Sequence, residues 1–172
     1  MNKKTVFLTK SAVIGAIYTV LTLLCAVMGL AYNGIQFRFS EALCVLPLFS
    51  SAAVPGLTVG CIVANIFSSV NPLADALIGS LATLFAAMLT RKFRNVTIKG
   101  FPLLSMIFPV LFNAIFVGFE IAVFSGEASF WPVFFTNFLS VGLGEAAVIF
   151  TLGTALIVFL QKNDRIRNFI SK

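Results

Sequence analysis

The chain has 172 residues, 59% of them hydrophobic and 10% charged, with 20 Phe and no His, and its mean hydropathy is +1.04. A water-soluble chain carries about 25% charged residues, so a soluble domain is excluded; at about 20 residues per crossing, residues 1–172 make one compact membrane domain. The 12 Lys+Arg against 6 Asp+Glu, a net charge of +6, then report orientation in a bilayer rather than affinity for nucleic acid.

Pro, Gly, Asn and charged residues divide the chain into six predicted spans, at about 8–31, 37–52, 55–70, 72–91, 100–124 and 130–161. Lys3, Lys4 and Lys10 precede the first, whose apolar stretch from Ser11 to Ala31 is longer than a signal-peptide core of about 7–15 residues. Along it Ser11, Ala12, Gly15, Ala16 and Thr19 form a small-residue face. Such a face either packs within the chain or docks another subunit. Arg38 and Glu41, neighbours on one helical face, open the second span as an ion pair or as binding groups. The second and third spans are short and interrupted by Pro47 and Pro55–Gly56, which predicts tilted, broken or shielded segments.

Asn65 falls near the end of the third span. Asn71–Pro72 is predicted to restart a helix, Asn as cap and Pro in the first turn, with Asp75 either complementing the helix dipole or joining a pocket. Asn113 and Glu120 in the fifth span are seven residues apart, within roughly 20° of each other on one face. Asn137 and Glu145 lie in the sixth, and Glu127 in a solvated Ser-Gly-Glu-Ala loop. Cys25, Cys44 and Cys61, all in apolar runs, read as small buried hydrophobes.

Three basic clusters remain: Lys3, Lys4 and Lys10; Arg91, Lys92, Arg94 and Lys99; Lys162, Arg165, Arg167 and Lys172. Six spans with both termini cytoplasmic place all three inside. Glu41, Asp75, Glu120, Glu127 and Glu145 then fall in the outer half, opposed by Arg38, and predict a pocket for a cation or a multiple hydrogen-bond donor. Glu120 and Glu145, several residues inside apolar helices, need partners, whereas Asn65, Asn113 and Asn137 serve either the pocket or interhelical bonding. Without His, imidazole catalysis is excluded and a zinc or iron site lacks its commonest nitrogen ligand. No phosphate-binding loop or nucleophile motif occurs. The reading is a solute-binding or transporting module, not an enzyme, with no cofactor or metal.

The stretch Phe37-Arg38-Phe39-Ser40-Glu41-Ala42-Leu43, with Leu46-Pro47, Pro55-Gly56-Leu57, Asn65, Pro72-Leu73-Ala74-Asp75 and Gly79-Ser80-Leu81-Ala82-Thr83-Leu84, resembles the QueT family. Asn113-Ala114, Val117-Gly118-Phe119-Glu120 and Ser140-Val141-Gly142-Leu143-Gly144-Glu145 extend the resemblance over nearly the whole chain. It implies an all-α integral membrane protein of six helices, the S-component of an energy-coupling factor transporter. The implied substrate is a queuosine precursor, 7-aminomethyl-7-deazaguanine. The implied partners are a transmembrane coupling protein and two cytosolic ATPases, in the plasma membrane, with the S-component toppling in the bilayer. In such transporters the small-residue face of the first helix docks on the coupling protein, which points to Ala12 and Ala16 with Ser11 and Gly15.

For that substrate, a carboxylate accepts the adjacent N–H donors of the guanine-like edge bidentately and a second pairs with the ammonium. Glu120 and Glu145 are the candidates, with Glu41 and Arg38 a rival placement for one acid. Asn65 and Asn113 are candidates for the ring carbonyl and pyrrole N–H, and Phe37 or Phe39 for stacking. The competing readings are an S-component for another flat heterocyclic vitamin, a structural membrane protein whose acids only hold helices together, and a proton-coupled transporter.

Overall fold

A computed structural model describes residues 2–31, 36–67 and 71–171. The end of the third predicted span, 68–70, and Lys172 lie outside them. The described residues are helical almost throughout: α1 (Lys3–Val27), a 3-10 helix (Phe39–Leu48), α2 (Ala53–Ile66), α3 (Pro72–Lys92), α4 (Leu103–Phe124), α5 (Phe130–Lys162) and the short α6 (Asp164–Ser171). Among the described residues, α1, α3, α4 and α5 are long and apolar enough to cross a membrane.

The helix ends depart from the predicted spans for local reasons. Helix α1 begins at Lys3 rather than near residue 8 because the Asn2 side chain caps it, accepting from the Lys4 N–H at 3.3 Å. It stops at Val27 because Gly29 takes φ +71° and the Gly29 and Leu30 N–H groups turn back to the carbonyls of Ala26 and Cys25. The start of α4 is delayed to Leu103 by a turn in which Lys99 and Gly100 both have positive φ. Helices α3 and α5 begin at the predicted Pro72 and Phe130. Asn71, however, makes no side-chain cap bond; its backbone carbonyl accepts from the Asp75 N–H at 2.8 Å.

The second predicted span, 37–52, is a ten-residue 3-10 helix containing Pro47. At a rise of about 2.0 Å per residue it is about 20 Å long, and the 14 residues of α2 at about 1.5 Å each reach about 21 Å. Both fall short of a hydrocarbon core of about 30 Å. They are largely covered by the longer helices: Cys44, Leu46, Ala53, Leu57 and Cys61 share a core with Ile14 and Tyr18 of α1, Ala87 of α3 and Leu160 of α5.

Two longer helices contain π turns, Asp75–Gly79 in α3 and Ile149–Gly153 in α5. The 3-10 helix packs on the second, where a Cβ on Gly153 would lie 3.1 Å from Val45 Cγ1. Helix α1 lies along α2 and α4 along α5. The α1–α2 seam is a backbone contact: a Cβ on Gly56 would stand 2.7 Å from the Ser11 carbonyl oxygen, and one on Gly60 2.7 Å from that of Gly15. Ser11 and Thr19 seal it, donating to the carbonyls of Ala52 at 3.0 Å and Gly60 at 3.1 Å. Helix α6 folds back on this body through Ile166 and Ile170, and the Lys10 ammonium donates to the Phe169 carbonyl.

Candidate functional site

Buried polar side chains are expensive in an apolar body unless they find one another. Here they gather: Glu41, Asn65, Asn113, Glu120 and Glu145 are all buried. They come from the 3-10 helix, α2, α4 and α5, so the cluster exists only once these elements pack.

Glu145 is held from α4, where Asn113 Nδ2 donates to its Oε1 at 2.8 Å. Its carboxyl group also stands within hydrogen-bonding reach of Glu41. Glu41 is itself engaged at both oxygens, by the Tyr18 hydroxyl at 2.5 Å and the Cys44 thiol at 3.1 Å. The 3-10 winding places Glu41 and Cys44 three residues apart on one edge, since side chains at i and i+3 eclipse in that helix. Nearby, Thr22 of α1 donates to Ser40 at 2.7 Å, fixing the start of the 3-10 helix against α1.

Seven residues along α4 from Asn113, Glu120 meets Asp75, their carboxyl groups within hydrogen-bonding reach of each other. Asp75 sits at the first position of the π turn. Its carbonyl accepts from Asn65 Nδ2 at 2.8 Å, an approach that requires glycine opposite, because a Cβ on Gly79 would lie 2.6 Å from that nitrogen. Asn71, Asp75, Glu120, Ile121, Phe124 and Ser125 line a cleft of about 100 Å³. Arg38 donates from Nε to the Ala31 carbonyl at 3.1 Å, and its positive charge acts on both Glu120 and Glu145.

The structure thus brings Glu41, Asn113 and Glu145 together at one place and Asn65, Asp75 and Glu120 at another, with Arg38 electrostatically common to both. Phe37 and Phe39 are half-buried on the segment entering the 3-10 helix, where their N–H groups bond to the Leu30 carbonyl and the Cys25 sulfur. Asn137 stays on its own helix, donating to the Val133 carbonyl at 2.8 Å. Glu127 is exposed. Of the small-residue face, Gly15 is spent in the α1–α2 seam and Ser11 is half-buried there, while Ala12 and Ala16 are exposed. These two line an apolar groove of about 620 Å³ whose other wall includes Pro55, Val59 and Val63.

Tyr18, Cys44 and Gly79 are not among the site residues that the sequence predicts; Cys44 reads there only as a small buried hydrophobe. Tyr18 carried a usable signal, since a buried phenol needs a partner for its hydroxyl. Cys44 and Gly79 carried none, because a thiol in an apolar run and a glycine in a helix look the same whether or not a polar group stands opposite.

A comparison with known families decides the class: the pattern described as "QueT transporter" matches residues 8–162. The chain belongs to the QueT family. It is therefore a multi-pass membrane protein of a transporter family, not an enzyme. A queuosine precursor transporter, QueT, of Lactococcus lactis subsp. cremoris (strain MG1363) is 31% identical over 83 residues, 48% of this chain and 48% of that protein. The matched stretch thus spans about half of that relative's length. No solved structure matches this one.

Proposed function

We propose that this chain is the S-component of an energy-coupling factor importer, capturing a queuosine precursor such as 7-aminomethyl-7-deazaguanine at the outer side of the plasma membrane. Six crossings with both termini cytoplasmic fit the positions of the basic clusters, the two short segments crossing within the shelter of the long helices. A transmembrane coupling protein and two cytosolic ATPases supply the energy, and the body topples to deliver its ligand inward. The exposed Ala12 and Ala16 offer the coupling protein a surface without bulk.

The observation that carries the substrate reading is the buried Asn113–Glu145 bond. Asn113 fixes Glu145 Oε1 and so orients the carboxylate to accept the paired N–H donors of a guanine-like edge. Glu41, already engaged by Tyr18 and Cys44, serves to position Glu145 rather than to contact the ring. Phe37 and Phe39 are the candidates for stacking on it.

Calorimetry on the purified protein in detergent tests this. The parent chain should bind 7-aminomethyl-7-deazaguanine, and Glu145→Gln should weaken binding by about 2–5 kcal/mol, the usual cost of breaking a buried charged pair. Undiminished binding by a folded Glu145→Gln variant refutes the assignment.

A further inference from the structure

The last helix stands at the edge of the apolar body. Helix α5 ends at Lys162, and α6 starts at Asp164 after a break at Asn163 (φ −114°, ψ 83°). Phe159, just before that end, is 52% exposed on a helix apolar enough to cross a membrane, so lipid reaches to within about two turns of α6. Eight residues, about 12 Å of helix, cannot cross a hydrocarbon core of about 30 Å, and so short a helix does not persist alone. It is held from α1: the Lys10 ammonium donates to the Phe169 and Ile170 carbonyls and lies 5.3 Å from the centre of the Phe169 ring.

The faces of α6 are sorted. Counting about 100° per residue from Ile166, Phe169 falls about 60° to one side and Ile170 about 40° to the other. The body covers Ile166 and Ile170 but leaves Phe169 73% exposed. Arg165, also exposed, falls about 40° beyond Phe169 on the same edge. Asp164, the one acid of α6, is tied to Arg167 at 2.5 Å. Helix α1 repeats the layering: Lys3 and Lys4 stand one turn before Phe7 and Leu8, all four are exposed, and together they line a cleft of about 380 Å³. No acid occurs in Lys3–Val27. Basic groups outermost, with apolar groups one turn deeper, match a phospholipid, whose phosphate lies above its acyl chains.

We infer that α6 and the first two turns of α1 form a seat for anionic phospholipids, with Phe169, Phe7 and Leu8 entering the acyl boundary while Arg165, Lys3 and Lys4 meet headgroup phosphates. Charge complementarity selects the anionic headgroup over the neutral one, and the place of Phe169, on the uncovered edge of a helix that begins beside lipid, favours a bilayer over an acidic protein. The seat depends neither on the substrate carried nor on which side of the membrane this end faces, so its failure leaves the proposed function standing.

The test places the full chain in nanodiscs of phosphatidylcholine, alone or mixed with phosphatidylglycerol, and follows amide hydrogen exchange in α6 and at the start of α1. With the anionic lipid α6 should exchange about five-fold more slowly, the factor for about 1 kcal/mol from one basic residue at a charged surface, and high salt should erase the difference. Arg165→Gln should also erase it, while exchanging as the parent does in phosphatidylcholine alone; a purely structural role for Arg165 would speed exchange in both bilayers. Phe169→Ser, which removes the inserted ring, should speed exchange of α6 in both. Lys3→Gln combined with Lys4→Gln should abolish the slowing at the start of α1 and keep it in α6. Equal exchange of the parent in the two bilayers overturns the seat and leaves this end to an acidic protein partner. Slowing of α6 that survives both high salt and Arg165→Gln overturns it as well.

Discussion

The polar cluster and the α1–α2 seam are both buried, but they are built from opposite materials. In the cluster, side chains reach across space to one another, as Asn113 does to Glu145 and Tyr18 to Glu41. In the seam there is almost no side chain, and the backbones of Gly15, Gly56 and Gly60 touch. A directed bond can be removed without moving a helix, whereas a backbone contact cannot be relaxed except by separating the helices. Function therefore has room to vary in the cluster but not in the seam.

The sharpest way to break this comparison is to fill the seam. Gly60→Leu should cost about 3 kcal/mol or more of stability, the upper range for overpacking, seen as a large drop in thermal unfolding temperature in detergent. A stable Gly60→Leu protein would mean that the two helices slide freely. Next in size, Asn113→Leu should weaken ligand binding and lower stability by about 1–3 kcal/mol, since it strips a buried carboxylate of its donor. Tyr18→Phe should lower stability by about 1–2 kcal/mol through the same loss at Glu41, with a smaller effect on binding; if binding falls as far as in Glu145→Gln, Glu41 contacts the ligand directly.

On the open side of the same helix, Ala16→Leu should change stability by no more than about 0.5 kcal/mol and leave ligand binding intact, while co-purification with the proposed coupling protein and ATPases is lost. Retained co-purification would restrict the small-residue face to internal packing. The most local effect belongs to Lys10→Ala, which frees the end of α6 from α1 at a cost of about 0.3–1 kcal/mol; hydrogen exchange confined to α6 should report it.

How much of this was visible in the chain depends on whether the decisive signal was local. Pro72 and the charged residues after Thr90 bracket α3, and α5 begins where Phe130 was predicted to start it, because punctuation of this kind acts within one or two turns. Glu120 and Glu145 stood out because a carboxylate inside an apolar run is conspicuous whatever surrounds it. The tight winding around Glu41 was not visible, since Pro47 announces an interruption without saying what geometry replaces the helix. Nor was the split of the small-residue face. Gly15 and Ala16 are adjacent and chemically alike, and only the position of α2 makes one seam and the other groove. The pairing of Asp75 with Glu120 joins residues 45 positions apart, beyond any local pattern.

The π turn at Asp75–Gly79 holds one residue more than an α-helical turn would need. Deleting a single residue there would let α3 wind regularly, and because five residues of the wider turn carry the chain about as far round as four at about 100° each, the residues on either side would keep their present faces. The helix would keep its apolar length, and only the winding between Asp75 and Gly79 would change. The extra residue is therefore a local device: it sets the spacing of Asp75 from Gly79, and with it the close approach of Gly79 to Asn65, without turning the rest of the helix.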